Sequence, residues 1–280
     1  MRFGFHISIG GGFKKVVERA LKKQCQTIQL FSRNPRGWNF NALDQEDILE
    51  FQSAIKQADI SPVFVHMPYL SNLASQEKDL YKKSLASLIT ELERCEIIGA
   101  HFLIMHIGSR LTASEDIAQK SISEGINKAF VKVKNSIILL LENTAGMGSE
   151  IGYNFAQIKA IFDRVEDKDR LGVVIDTAHV FEAGYPIHTK QGLDTTLKEF
   201  DELVGFKRLH LLHLNDSKTD LDSKVDRHWH IGEGKIGLEG FRNIVNHPLL
   251  KHLPGIMETP RKDEKEDLKN MNVIRSLVKD

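Results

Sequence analysis

Eight times along its length the chain passes from a short run of apolar and β-branched residues into a longer amphipathic stretch, and no other feature restricts its fold as much. The short runs are Arg2–Ser8, Thr27–Ser32, Pro62–Met67, His101–Ile107, Ser136–Glu142, Leu171–Asp176, Arg208–Asn215 and Pro254–Glu258. Helical spacing of apolar residues follows over Phe13–Lys23, Gln45–Gln57, Gln76–Ile98, Ser114–Val133, Phe155–Val165, Gly192–Val204, Leu238–Asn246 and Glu264–Lys279. Strands in strict alternation with helices form parallel βα units, because a parallel pair needs a crossover long enough to hold a helix. Eight such units predict an α/β fold, a single (β/α)8 TIM barrel over residues 1–280 with its active site at the carboxyl ends of the strands. The competing open, doubly wound sheet carries its glycine fingerprint in GxGxxG form, which is expected to be absent here. No linker or repeat interrupts the pattern, and its longest irregular stretch is Asp216–Gly237, after the seventh strand.

A chain of 280 residues, 41% hydrophobic, can bury a large core, while a formal net charge of zero removes any global electrostatic argument for a nucleic-acid partner. Binding to DNA would have to rest on local charge. The segment up to Arg36 is basic, but Lys14–Lys23 reads as the solvated face of an outer helix, leaving Arg33 and Arg36 as separate cases. Cys25 and Cys95 are too few and too far apart for a disulfide framework. With no signal-peptide pattern and no apolar run of membrane-spanning length, a soluble cytoplasmic protein is expected.

In a barrel, residues at the carboxyl ends of the strands share one face. Those ends carry His66, His106, Glu142, Asp176 with His179 just beyond, His213 followed by Asn215 and Asp216, and Glu258, while the long loop adds Asp226 and His228. Any one of these is ordinary alone: a single His66 or His106 is usually a satisfied core histidine, and Asp176 with His179 could be an ion pair. The nine other than Asn215 and Asp216 would together each lose several kcal/mol in desolvation unless something satisfied them, and metal ions do so directly. Mixed His, Asp and Glu donors without cysteine suit zinc, with manganese or iron(II) as alternatives, and the number is enough for two or three ions. His101 and His210 sit at the opposite strand ends and read as structural, His188, His247 and His252 as surface residues, and His230 as a neighbour of the cluster without a ligating role.

Several motifs together resemble the endonuclease IV family of apurinic/apyrimidinic endonucleases along essentially the whole chain. They are Glu142-Asn143-Thr144-Ala145-Gly146, Asp176-Thr177-Ala178-His179 continuing to Ala183-Gly184-Tyr185, His213-Leu214-Asn215-Asp216-Ser217-Lys218, Val225-Asp226-Arg227-His228 with Gly232-Glu233-Gly234 and Ile236-Gly237, and Glu258-Thr259-Pro260. The resemblance implies three zinc ions: one on His66, His106 and Glu142, a second on Glu142 as bridge with Asp176, His213 and Glu258, and a third on His179, Asp226 and His228. It implies hydrolysis of double-stranded DNA 5′ to abasic sites, leaving a 3′-hydroxyl and a 5′-deoxyribose phosphate, with trimming of blocked 3′ ends at the same site. Zinc lowers the pKa of bound water from about 15.7 to about 7 and neutralises phosphate charge, and Glu142 would orient the attacking hydroxide. Arg36, Tyr69 and Leu70 resemble the family residues that enter the duplex at the extruded nucleotide, although Tyr69 and Leu70 could equally cap the barrel. A monomer is the family default.

Smaller features accompany these. The turn Ser8–Gly12 could offer amides to phosphate, though a tight βα turn is the simpler role, and Trp38, Lys218 and Arg227 could line the DNA surface. The chain departs from the commoner family pattern at Met147, Ala178 and Trp229, none of which removes a ligand. Two other classes remain open: a sugar isomerase or epimerase, which needs neither Asp226-x-His228 nor a duplex wedge, and a damage-binding protein without turnover.

Overall fold

The computed structural model describes residues 1–261 and 263–279. Eight parallel strands close into a barrel: β1 (Phe3–His6), β2 (Thr27–Phe31), β3 (Val63–His66), β4 (Phe102–His106), β5 (Ile138–Glu142), β6 (Leu171–Asp176), β7 (Leu209–His213) and, eighth, β10 (Gly255–Met257). Closure runs through β1, whose Phe5 pairs with Met257 on one side and Ile28 on the other. Outside it lie α1 (Lys14–Lys22), α2 (Gln45–Gln57), α3 (Lys78–Ile98), α4 (Glu115–Lys132), α5 (Phe155–Arg164), α7 (Lys190–Leu203), α8 (Gly237–Asn246) and α9 (Glu264–Leu277). All eight expected βα units are present, their ends moved by a residue or two. Among the described residues no helix is long and apolar enough to cross a membrane.

Three short elements differ from expectation. A six-residue helix, α6 (Thr177–Glu182), starts directly from β6 because the Asp176 carboxylate accepts the His179 N–H at 3.0 Å and caps it. The stretch read as irregular after β7 contains an antiparallel pair, β8 (Asp216–Ser217) with β9 (His228–Trp229).

The barrel interior explains the site. Phe64, Ile104, Leu140, Val174, Leu211 and Ile256, one from each of six strands, form their own buried cluster, separate from the larger core between sheet and helices. Side chains alternate along a strand, so the next inward residue is two positions on. On those six strands it is His66, His106, Glu142, Asp176, His213 and Glu258. An apolar plug thus fills the barrel directly beneath a layer of donors.

Some sequence readings of individual residues are corrected. Lys23 is not on a solvated face: its ammonium is buried 2.7 Å from the equally buried Asp267. His188 and His247 are half-buried rather than on the surface, His188 against the Phe181 ring and His247 beside Asp194, whereas His252 is exposed. The His101 ring is exposed, and His210 has the expected structural role, half-buried against Phe102 and above Gly172. In the Ser8–Gly12 turn the Gly10 N–H donates to the Ser8 hydroxyl at 3.2 Å and the Gly12 N–H to the Ile9 carbonyl at 3.0 Å, and just beyond it the Phe13 and Lys14 amides are taken by the Asp47 carboxylate, which supports the tight-turn role over phosphate binding.

Candidate metal centre

Glu142 lies at the centre of the mouth, fully buried. Its Oε2 faces His66 Nε2 at 3.1 Å and His106 Nε2 at 3.2 Å, and its Oε1 faces His213 Nδ1 at 2.9 Å. His213 Nδ1 also lies 3.4 Å from Glu258 Oε2 and 3.7 Å from Asp176 Oδ2. A third group gathers around His179 and His228, whose Nε2 atoms are 3.2 Å apart, with Asp226 oxygens 3.4 and 3.5 Å from them and Asp176 Oδ2 3.6 Å from His228. Asp176 serves twice, since the carboxylate that caps α6 also sets His179 one turn away on the same side.

Two bonds of 2.0–2.1 Å at a tetrahedral zinc hold their donor atoms about 3.3 Å apart. The separations above run from 2.9 to 3.7 Å. Three sets of atoms come within 4.8 Å of one another: His66, His106 and Glu142; Glu142, Asp176, His213 and Glu258; and Asp176, His179 and His228. The nitrogens are also free to coordinate. His66 Nδ1 lies 2.7 Å from the Met67 carbonyl and His179 Nδ1 2.9 Å from the Asn143 carbonyl, so each ring donates there and directs Nε2 inward, where a cation can take the place of any proton it holds. The donor chemistry and its spacing both fit metal ions.

Without ions, the cluster balances its charge internally. Burial alone would raise Glu142, but the imidazoles of His106 and His213 hold its carboxyl well below the usual range. Burial opposes protonation of His213, yet Glu258, Glu142 and Asp176 push it up to about 9. Asp226, despite burial, is brought down to about 2 by His179 and His228. Every imidazolium proton held this way is one that a cation would replace.

All nine expected donors converge, and they line or underlie a cavity of about 440 Å³ open at the mouth. Tyr69 lies on its rim, more than half exposed, with its ring against Phe31, His66 and His106. Leu70 is exposed beside it, and Arg36 is exposed on the β2–α2 loop. Arg33, by contrast, is buried: its guanidinium binds Glu91 at 2.6 Å and the Gly37 and Trp38 carbonyls, which anchors the loop that carries Arg36. Lys218 stacks on the Trp229 ring at 4.2 Å, and Arg227 is exposed.

Asp216 does not join the donors. One residue beyond Asn215 its side chain turns outward, and its buried carboxylate accepts five backbone N–H groups, from Ser217, Gly232, Gly234, Ile236 and Gly237, at 2.8 to 3.2 Å. Residues 232–237 therefore do have GxGxxG spacing, contrary to its expected absence, but their amides enclose the chain's own carboxylate instead of a phosphate. A Cβ on Gly234 would lie 2.3 Å from the Ser217 carbonyl oxygen, so the loop closes only with glycine there. Glu182, at the end of α6, fastens the other half of the loop: its Oε1 accepts from the Ser217 and Thr219 hydroxyls and the Arg227 N–H.

Comparison with known proteins agrees with this geometry. Residues 17–277 match a family described as a xylose isomerase-like TIM barrel. A probable endonuclease 4 of Halothermothrix orenii is 43% identical over 276 residues, 98% of this chain and 99% of that protein. The chain belongs to the endonuclease IV family. The crystal structure of endonuclease IV from Thermus thermophilus matches it with a TM-score of 0.88 at 34% identity, covering 99% of this chain and 98% of that one. A D-tagatose 3-epimerase-like protein reaches a TM-score of 0.74 at 15% identity, covering 99% of this chain and 97% of that one, a likeness of fold alone.

Two residues of the mouth lie outside the nine candidate donors: Gln29, which is uncharged, and His6, which ends β1. Gln29 and His6 project into the same mouth from β2 and β1, joined to each other and to Glu258. Strand parity is the signal that finds them, because Gln29 follows Thr27, and His6 follows Gly4, at the inward spacing of two.

Proposed function

We propose that the chain hydrolyses the backbone of double-stranded DNA 5′ to abasic sites, leaving a 3′-hydroxyl and a 5′-deoxyribose phosphate, and trims blocked 3′ ends at the same site. One observation carries the reading: the third donor group, with Asp226 and His228 supplied by the β7–α8 loop, lies beside the other two at a mouth whose rim bears exposed Tyr69, Leu70 and Arg36. A one- or two-ion sugar isomerase needs neither the loop group nor the rim.

Three zinc ions are the proposed cofactors, with manganese or iron(II) able to substitute: one on His66, His106 and Glu142, one on Glu142, Asp176, His213 and Glu258, one on His179, Asp226 and His228. Such ions supply hydroxide from water at neutral pH and neutralise phosphate oxygens. The remaining work belongs to the chain. Glu142, with one oxygen toward each of two donor groups, holds them in fixed relation and orients the attacking nucleophile. Tyr69 and Leu70 fill the gap left by an extruded nucleotide, and Arg36 props the duplex beside it. Extrusion is cheapest where the base is already missing, so selection for abasic sites follows from stacking and pairing energy already lost.

The test is cleavage of an end-labelled duplex carrying one stable abasic analogue, without magnesium, before and after prolonged chelation and again with zinc restored. A single cut 5′ to the analogue, with a polymerase-extendable end and zinc-dependent recovery, is expected. Intact duplex in the presence of fully metal-loaded protein would overturn the proposal in favour of sugar chemistry, and retention without cutting would point to a binding protein.

A further inference from the structure

We propose that Gln29 is a positioning residue, whose single carboxamide sets the tautomers of His213 and His6 and the orientation of Glu258. The inference rests on the metal reading of the site. Gln29 is fully buried on β2, and its side chain reaches across the barrel. Its Nε2 lies 2.6 Å from Glu258 Oε1 and 2.9 Å from His6 Nδ1, and its Oε1 lies 2.7 Å from His213 Nε2.

These contacts admit one proton arrangement. An amide nitrogen only donates and a carboxylate only accepts, so the contact with Glu258 fixes which end of the carboxamide is nitrogen. The reverse orientation would press two acceptor oxygens together at 2.6 Å. With the nitrogen placed, His6 Nδ1 must accept, which puts the His6 proton on Nε2. With the oxygen placed, His213 Nε2 must donate, which leaves Nδ1 as the atom that meets Glu142, Glu258 and Asp176. Glu258 in turn has Oε1 occupied by Gln29 and presents Oε2 to His213.

His213 is singular in this respect. His66 and His179 are oriented by the backbone carbonyls of Met67 and Asn143, which no substitution removes. The His213 ring depends on a side chain, and so does the donor set formed with Asp176 and Glu258. His6 lines the same cavity, and no partner for its Nε2 occurs among the described residues. Gln29 therefore gives that ring an N–H donor available to a phosphate oxygen.

The test uses the zinc-loaded protein labelled with ¹⁵N-histidine. Long-range ¹H–¹⁵N spectra of the wild type should show His213 protonated on Nε2 and His6 protonated on Nε2 with a bare Nδ1. A His6 proton on Nδ1, or His213 coordinating through Nε2, overturns the inference without any variant. Gln29→Met keeps the side-chain length and removes all three hydrogen bonds. In competition titrations it should bind one ion roughly 10–100-fold more weakly with the others unchanged, the range expected for loss of an outer partner of a ligand, and kcat should fall with little change in KM. Unchanged affinity for every ion in folded Gln29→Met also overturns it. Should the wild type bind no ion, the metal reading fails, and the His6 tautomer still decides for or against Gln29.

Discussion

Replacing Asp216 by asparagine perturbs the active loop without touching a metal donor. The carboxylate is buried and accepts five backbone N–H groups: Ser217 and Ile236 on Oδ1, Gly232, Gly234 and Gly237 on Oδ2. Asparagine retains one oxygen, and its NH2 turns donors against donors at the other. If the amide replaces Oδ1, two N–H groups lose their acceptor; if it replaces Oδ2, three do. Each unpaired buried N–H costs about 1–3 kcal/mol. A partial offset comes from the charge: burial pushes the Asp216 carboxyl up in spite of its N–H partners, so folding gains by burying a neutral group. The balance is a loss of about 2–4 kcal/mol, or roughly 3–7 °C in Tm for a chain of 280 residues. Thermal unfolding of metal-free wild type and Asp216→Asn measures it, and the loop group around Asp226 and His228 should lose metal affinity in the same variant. A variant within about 1 °C of wild type would refute the reasoning.

Glu142→Gln should lower cleavage by more than the roughly 10–100-fold seen when an outer partner of a ligand is lost, while duplex binding by fluorescence anisotropy remains measurable; wild-type turnover would remove Glu142 from the centre. Tyr69→Ala should reduce discrimination between abasic and intact duplex by roughly tenfold, the scale of one stacking contact of about 1–3 kcal/mol, and equal affinities before and after would take Tyr69 out of the wedge. The metal-free protein should lose stability above neutral pH. His213 titrates at about 9 in the fold against an ordinary 6.5, so its contribution is complete below 6.5 and disappears as pH rises through about 9. Asp226, lowered to about 2, contributes above its ordinary value of 3.8 and loses that contribution as pH falls through about 2. A flat Tm between pH 6.5 and 9.5 in the presence of chelator would contradict the first assignment. Glu182→Ala should destabilise by about 1–3 kcal/mol through the freed Arg227 amide, whereas Glu182→Gln, which keeps the accepting oxygen, should stay near wild type in chemical denaturation.

The barrel and the convergence of nine candidate donors were legible because strand ends in this fold share a face, and His66, His106, Glu142, Asp176, His213 and Glu258 all stand two residues after an apolar inward neighbour. What sequence reading missed depends on which way a side chain turns. Asp216 looked like one more carboxylate at the mouth, yet it follows Asn215 by a single residue and so faces away, into amides contributed some twenty positions later. Lys23 stands in a run of lysines and arginines, and only the packing of α9 supplies the aspartate that draws it inward. Gln29 was passed over because it carries no charge, although its amide touches three members of the cluster.

The apolar plug of Phe64, Ile104, Leu140, Val174, Leu211 and Ile256 closes the barrel from below, so that the donor layer is reached from the mouth. Ions, chelators and water all exchange across the rim where Tyr69 stands. Under the proposed function, a duplex seated there would act as a stopper. Metal escape from the complex should then keep time with the residence of the DNA and be indifferent to the concentration of chelator outside.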